Sequence, residues 1–167
     1  MRRNPPPAFR WHPWPIGGPR SSNLRVAKQF SDRDRDAYRV ETFDYIAHYF
    51  ENSIAELDQR NPGIQGQFRR IDANRFTATA YRHGQSVARC SVFMGGTSFS
   101  SGIAYSNSDD GGSNSFNENL TVQSDDQSMY LKSMGMASYM RQRDEKLTQE
   151  GAAELFWEMF IAPLQRG

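Results

Sequence analysis

Between Ser31 and Met94 the hydrophobic period of the chain changes from that of a helix to that of a strand, and it changes at one place, Asn61-Pro62-Gly63. Before that tripeptide Phe43, Ile46, Ala47, Phe50, Ile54 and Leu57 recur at spacings of three and four, which lines them along one side of a helix. Ser31 is a capping residue, and Asp32, Asp34 and Asp36 suit the positive end of a helix dipole. The pattern predicts a helix over about 34–60. Proline cannot continue it, and glycine accepts the turn that follows.

After the tripeptide the period is two. Gln67–Asp72 reads as a short strand. Arg75–Arg82 alternates Phe76, Ala78 and Ala80 with Thr77, Thr79 and Tyr81. Gln85–Met94 alternates Ala88, Cys90 and Val92 with Val87, Arg89, Ser91 and Phe93. Asp72-Ala73-Asn74 and His83-Gly84 are turn sequences, so these three strands form an antiparallel meander. Phe99–Tyr105, Leu120–Gln123 and Ser128–Lys132 extend it to five or six strands. Residues 134–143 fit neither period. Thr148 then caps a last helix with Ala152, Leu155, Phe156, Met159 and Phe160 on its apolar side, which Pro163 is expected to stop. A long amphipathic helix, a meander and a C-terminal helix packed on one sheet face make an α+β fold.

Two stretches stand outside this pattern. Residues 1–30 contain six prolines, which forbid a regular helix, and read as an extended or flexible arm before a single domain over 31–167. The arm carries six Arg and Lys and no acid, so with the whole chain at +1 the remainder carries −5. Phe9, Trp11 and Trp14 alternate with Arg10 and His12. Exposed tryptophans beside arginine are typical anchors for a partner, which makes Phe9, Arg10, Trp11 and Trp14 the expected partner-binding residues. The second stretch, 95–127, is long, polar and rich in Gly, Ser and Asn. Such a segment inside a domain is functional more often than structural, and its expected recognition residues are Tyr105, Asn107, Asn114, Phe116, Asn117 and Glu118.

Motifs for chemistry are absent from the sequence. The three histidines, His12, His48 and His83, have no zinc-type spacing with Cys, His or carboxylates. Asp109, Asp110, Asn114, Asn117 and Glu118 do not follow the calcium-loop pattern. Neither glycine pair fits a phosphate-binding loop. Cys90, the single cysteine, excludes an intramolecular disulfide and falls in the buried set of its strand. No metal and no cofactor are therefore expected. With no membrane-length apolar run and no secretory signal, the expected location is cytoplasmic.

The expected function is that of a non-enzymatic interaction module, a subunit or adaptor in an intracellular assembly with a protein partner. It would make contact through the arm and the 95–127 segment. Two alternatives remain. One is a small enzyme with a site assembled from His48, Ser115, Asn117 and Glu118. The other is a nucleic-acid accessory protein using the basic arm and the strand arginines Arg69, Arg70, Arg75, Arg82 and Arg89, whose side chains could stack and pair with a polyanion on an open sheet face.

Overall fold

The structure, a computed structural model, describes residues 24, 26–95, 102–108, 116–135 and 145–166. Phe9, Arg10, Trp11, Trp14, Asn114 and Ser115 lie outside the described residues, as do 136–143 of the stretch that fitted neither period.

Helix α1 spans Asp32–Arg60. Ser31 caps it reciprocally: its hydroxyl accepts from the Asp34 amide at 3.1 Å while the Asp34 carboxylate accepts from the Ser31 amide at 2.9 Å. Those hydrogen bonds from Ser31 hold the Asp34 carboxyl below the usual carboxylate range. The predicted stripe is the buried face, with Phe43, Ile46, Ala47, Phe50 and Ile54 enclosed. At the other end the Asn61 side-chain amide donates to the Leu57 carbonyl at 2.9 Å, and Gly63 takes φ 88°, a conformation open to glycine at little cost.

Six strands follow: β1 (Ile64–Asp72), β2 (Arg75–Arg82), β3 (Gln85–Phe93), β4 (Gly102–Ser106), β5 (Glu118–Ser124) and β6 (Met129–Ser133). Each pairs antiparallel with its neighbour in sequence, in the order β1-β2-β3-β4-β5-β6. The β2–β3 turn has positive φ at both His83 (51°) and Gly84 (81°), the backbone of a two-residue hairpin whose twist matches its strands. Helix α2 spans Gln149–Gln165 from its cap at Thr148. The fold is thus α+β, an antiparallel six-stranded sheet between a long N-terminal and a C-terminal helix.

Two expectations need correction. Pro163 does not stop α2, which continues through it to Gln165. Proline's φ suits a helix, its missing N–H removes only one bond, and this close to the end little helix is left to disturb. The second concerns 95–127, where strands were expected over Phe99–Tyr105 and Leu120–Gln123 and occur as β4 and β5: Tyr105 and Glu118, expected among its recognition residues, are fully buried.

Both helices pack on one face of the sheet. Phe50 is the hub, with ring centroids 5.2 Å from Phe76, 5.3 Å from Trp157 and 5.8 Å from Phe160. Tyr105 reaches from β4 to Phe156 of α2 at 5.2 Å. Thr42 ties the helices together, donating to the Tyr38 carbonyl at 2.7 Å and accepting from the Gln149 amide at 3.1 Å. Gly66 lets β1 approach α1 closely: a Cβ there would lie 2.5 Å from Ile54 Cγ2. The edge of β6 is partly covered, since Leu131 and Leu147 exchange backbone bonds of 2.9 and 2.8 Å. The chain before α1 is also held: the Lys28 amide donates to the Asp126 carbonyl at 2.8 Å, in the β5–β6 turn.

Candidate functional site

The helices leave the other face of the sheet to the alternate strand residues. In an antiparallel pair, directly opposed residues share a face. Phe76 opposes Val92, Val92 opposes Tyr105, and Tyr105 opposes Glu118, so all four face the helices. The intervening positions face away. They include Arg69 opposite Thr77, Arg75 opposite Phe93, Arg89 opposite Thr79, and Lys132 opposite Thr121. Most other positions on this face are Gln, Thr, Ser, Asn and Tyr, and in its middle Ser91, Phe93, Ala104, Ser106 and Asn119 are buried, so the exposed cations lie to either side of that strip. Asp72, at its corner, closes the β1–β2 turn by accepting from the Asn74 amide at 2.7 Å. The helices carry the opposite sign: α1 holds eight carboxylates against four arginines. The molecule is therefore polarised, with cations on the sheet face and acids on the helices.

The five strand arginines divide between the two faces. Arg69, Arg75 and Arg89 lie on the face away from the helices. Arg75 stacks over Phe93, 4.2 Å from the ring centroid, and Arg89 donates to the Ser86 hydroxyl at 2.8 Å. Arg70 lies on the helix side, donating to Asp44 at 2.8 Å and covering the Phe43 ring at 5.0 Å. Arg82 also points that way and caps the end of α2 through the Leu164 carbonyl at 2.6 Å. Strict alternation fails at two register shifts, between Arg70 and Asp72 and between Ala80 and Tyr81.

The second of these shifts leaves Val87 without an opposite residue, because Ala88 opposes Ala80 while Ser86 opposes Tyr81. Such bulges bend a strand locally. Here the bent start of β3, Asn107 after β4 and the last turns of α2 enclose a cleft of about 370 Å³. Ala88 and Phe160 are buried lining residues, and Arg89 and Arg166 are exposed ones. The sequence gives no direct signal for this cleft, since it depends on the bulge and on α2 running past Pro163.

The expected recognition residues do different work. Asn117 closes the β4–β5 connection: its side-chain oxygen accepts from the Asn107 amide at 2.8 Å, and its own amide donates to the Tyr105 carbonyl at 2.8 Å. Phe116 is exposed beside it. Glu118 lies within the core, its Oε1 accepting from the amides of Asn119 at 2.9 Å and Gly135 at 2.7 Å. Burial, with Cys90 alongside, drives the Tyr105 hydroxyl far above its usual range. His48 is on the exposed side of α1 with Nδ1 2.9 Å from the Asp44 carbonyl, so its ring and the enclosed Glu118 carboxylate face different surroundings. Among the described residues no group of three His, Cys, Asp or Glu could hold a metal. No described helix is long and apolar enough to cross a membrane.

The model of the Y4lF protein domain matches residues 65–162, from the start of β1 into the last turns of α2. The chain belongs to the Y4lF domain family. It is also 57% identical over 148 residues to y4lF of Sinorhizobium fredii (strain NBRC 101917 / NGR234), a protein described as uncharacterized. That match covers 89% of this chain and 46% of the relative, so the chain spans less than half of the relative's length. In a chain of 167 residues a match of that length cannot avoid α1, although the Y4lF domain model begins after it. No solved structure matches the chain. The sheet face and α2 as far as Ala162 fall inside the Y4lF match, while Pro163 and Arg166 of the cleft lie beyond it.

Proposed function

We propose that this chain is a non-enzymatic interaction module, a subunit or adaptor in a cytoplasmic assembly, and that it docks an acidic protein surface on the sheet face turned away from its helices. The polarity of the molecule carries this reading: Arg69, Arg75, Arg89 and Lys132 share that face, among amides and hydroxyls. Such a face recruits an oppositely charged surface, speeds the encounter and fixes its register. The arm, with Phe9, Arg10, Trp11 and Trp14, supplies apolar anchors for the same partner.

The test reverses charge at both ends of the face with Arg69→Glu and Lys132→Glu. It spares Arg75, which packs on Phe93, and Arg89, which also lines the cleft. The tagged full chain is purified from its native cells. A partner recovered in fixed ratio with the unaltered protein should be lost from the double variant at an unchanged thermal midpoint. Equal recovery by both proteins, or an unaltered chain that purifies alone, removes the reading.

The same face supports a second reading, a single-stranded nucleic acid, because Tyr81 and Tyr130 lie on it with the cations. Binding would then fall steeply with salt as counterions are released. A mobility shift at low salt, lost in the same double variant, separates this reading from the first.

A further inference from the structure

We propose that the basic arm folds back on its own domain and seats Pro5, Pro6 and Pro7 in a groove beside the first turns of α1. The proposal does not rest on the docking reading. The groove, of about 510 Å³, runs between the chain at Lys28, Gln29 and Phe30, the first turns of α1 and the start of β6. Its walls are mostly apolar: Phe30, Tyr38 and Met129 are half-buried, and Ala37 continues the α1 side. Asp34 and Glu41 are its carboxylates, and both are exposed. Aromatic walls suit a proline-rich segment, because a polyproline II helix is already formed before it binds and loses little entropy on docking. Carboxylates at the rim select a basic one.

Position, charge and spacing single out the arm as the occupant. It joins the domain at the groove's own wall, where the Lys28 amide is held by the β5–β6 turn, so its effective concentration at the groove is high. Residues 1–30 carry Arg2, Arg3 and Arg10 among their cations and no acid, whereas α1 holds eight carboxylates against four arginines. Gly17-Gly18 is the place for a reversal, since glycine takes turn conformations at little cost. A reversal between those two glycines sets Pro7, Pro6 and Pro5 opposite Lys28, Gln29 and Phe30, and brings Arg2 and Arg3 to the start of α1. It also sets Phe9 and Trp11 opposite Val26 and Leu24, whose apolar side chains are otherwise exposed. Trp14 stays beyond the groove, open to a partner.

The test places a nitroxide spin label on the arm of the full chain through Asn4→Cys and reads the loss of amide signals by NMR. Cys90 is buried and takes no label. Signal loss should centre on Ala37, Tyr38, Glu41 and Met129. Glu41→Lys, which reverses charge at the groove, should abolish most of it, and so should Pro6→Gly with Pro7→Gly, which removes the preformed helix. Glu154→Lys, the same reversal on α2, should leave it unchanged, with melting curves confirming that each variant is folded. Isotope-labelled chain without the nitroxide, mixed with unlabelled chain that carries it, should show no loss. Loss absent from the groove or centred elsewhere, indifference to Glu41→Lys or to the glycine variant, or an equal loss in the mixed sample, which would mark the arm of a second copy, overturns the proposal.

Discussion

At Glu118 a carboxylate is fully buried, and two of its hydrogen bonds help explain why it is tolerated. Its Oε1 takes the amide hydrogens of Asn119 and Gly135, two donors that the interior would otherwise leave without acceptors. A buried donor without an acceptor costs about 1–3 kcal/mol. Glu118→Ala should therefore lower the unfolding free energy by about 2–5 kcal/mol in urea titrations. Glu118→Gln should cost clearly less, because the amide oxygen still accepts from both. Equal losses would mean that the charge matters rather than the acceptor. The same residue shows where sequence reading fails: a glutamate beside Asn117 in a polar stretch scores as solvated, and only the opposition of Tyr105 and Glu118 across β4 and β5 reveals it as interior.

Among the elements, the contact of α1 with β1 is set by one missing side chain. A Cβ at Gly66 would meet Ile54 Cγ2 at 2.5 Å, and that methyl belongs to a β-branched side chain with little rotamer freedom. Gly66→Ala should destabilise the fold by about 1–3 kcal/mol through overpacking. Ile54→Ala alone should cost about 2–5 kcal/mol through the cavity it leaves. Combined, the two should cost less than their sum, because the new methyl occupies part of that cavity, and the double-mutant cycle measures the difference. Additive losses would show that β1 moves away instead. The elements themselves were legible where one period acted alone. The stripe from Phe43 to Leu57 marked α1, and alternation bounded by His83-Gly84 gave β2 its observed ends. Legibility was lost where a local rule met a tertiary one. Pro163 reads as a stop but sits in the last turn of α2. Plain alternation sets Arg70, opposite Phe76, and Arg82, in step with Phe76, Ala78 and Ala80, on the helix side, so a reading that grouped all five strand arginines on one face placed those two wrongly.

For the molecule as a whole, the arm and the domain should separate energetically, but not at residue 30. Lys28 is hydrogen-bonded to the β5–β6 turn, and Gln127 reaches the Val26 carbonyl at 3.5 Å. Removing residues 1–25 should leave a cooperative melt with little change in midpoint, since those contacts and the core remain. Trp11→Ala with Trp14→Ala in the full chain should leave the midpoint alone and weaken the proposed assembly by about 2 kcal/mol or more per true anchor, read by titration against the recovered partner. A truncated chain that is molten or insoluble would show instead that the arm completes the core.

The strictly sequential order of the strands also shapes how the chain acquires its structure. Each hairpin closes over a short span and can form as soon as its second strand is available, a local pattern that favours fast folding. The contacts of α1 with α2 are the opposite case, because they join residues separated by the whole sheet: Thr42 with Gln149, and Phe50 with Trp157 and Phe160. During synthesis α1 leaves the ribosome first and its apolar stripe must wait for α2, emerging last, to be fully covered. The interval between those two events is when this chain is most exposed to aggregation, and β1, with Gly66 seated under Ile54, is the first surface available to shelter that stripe.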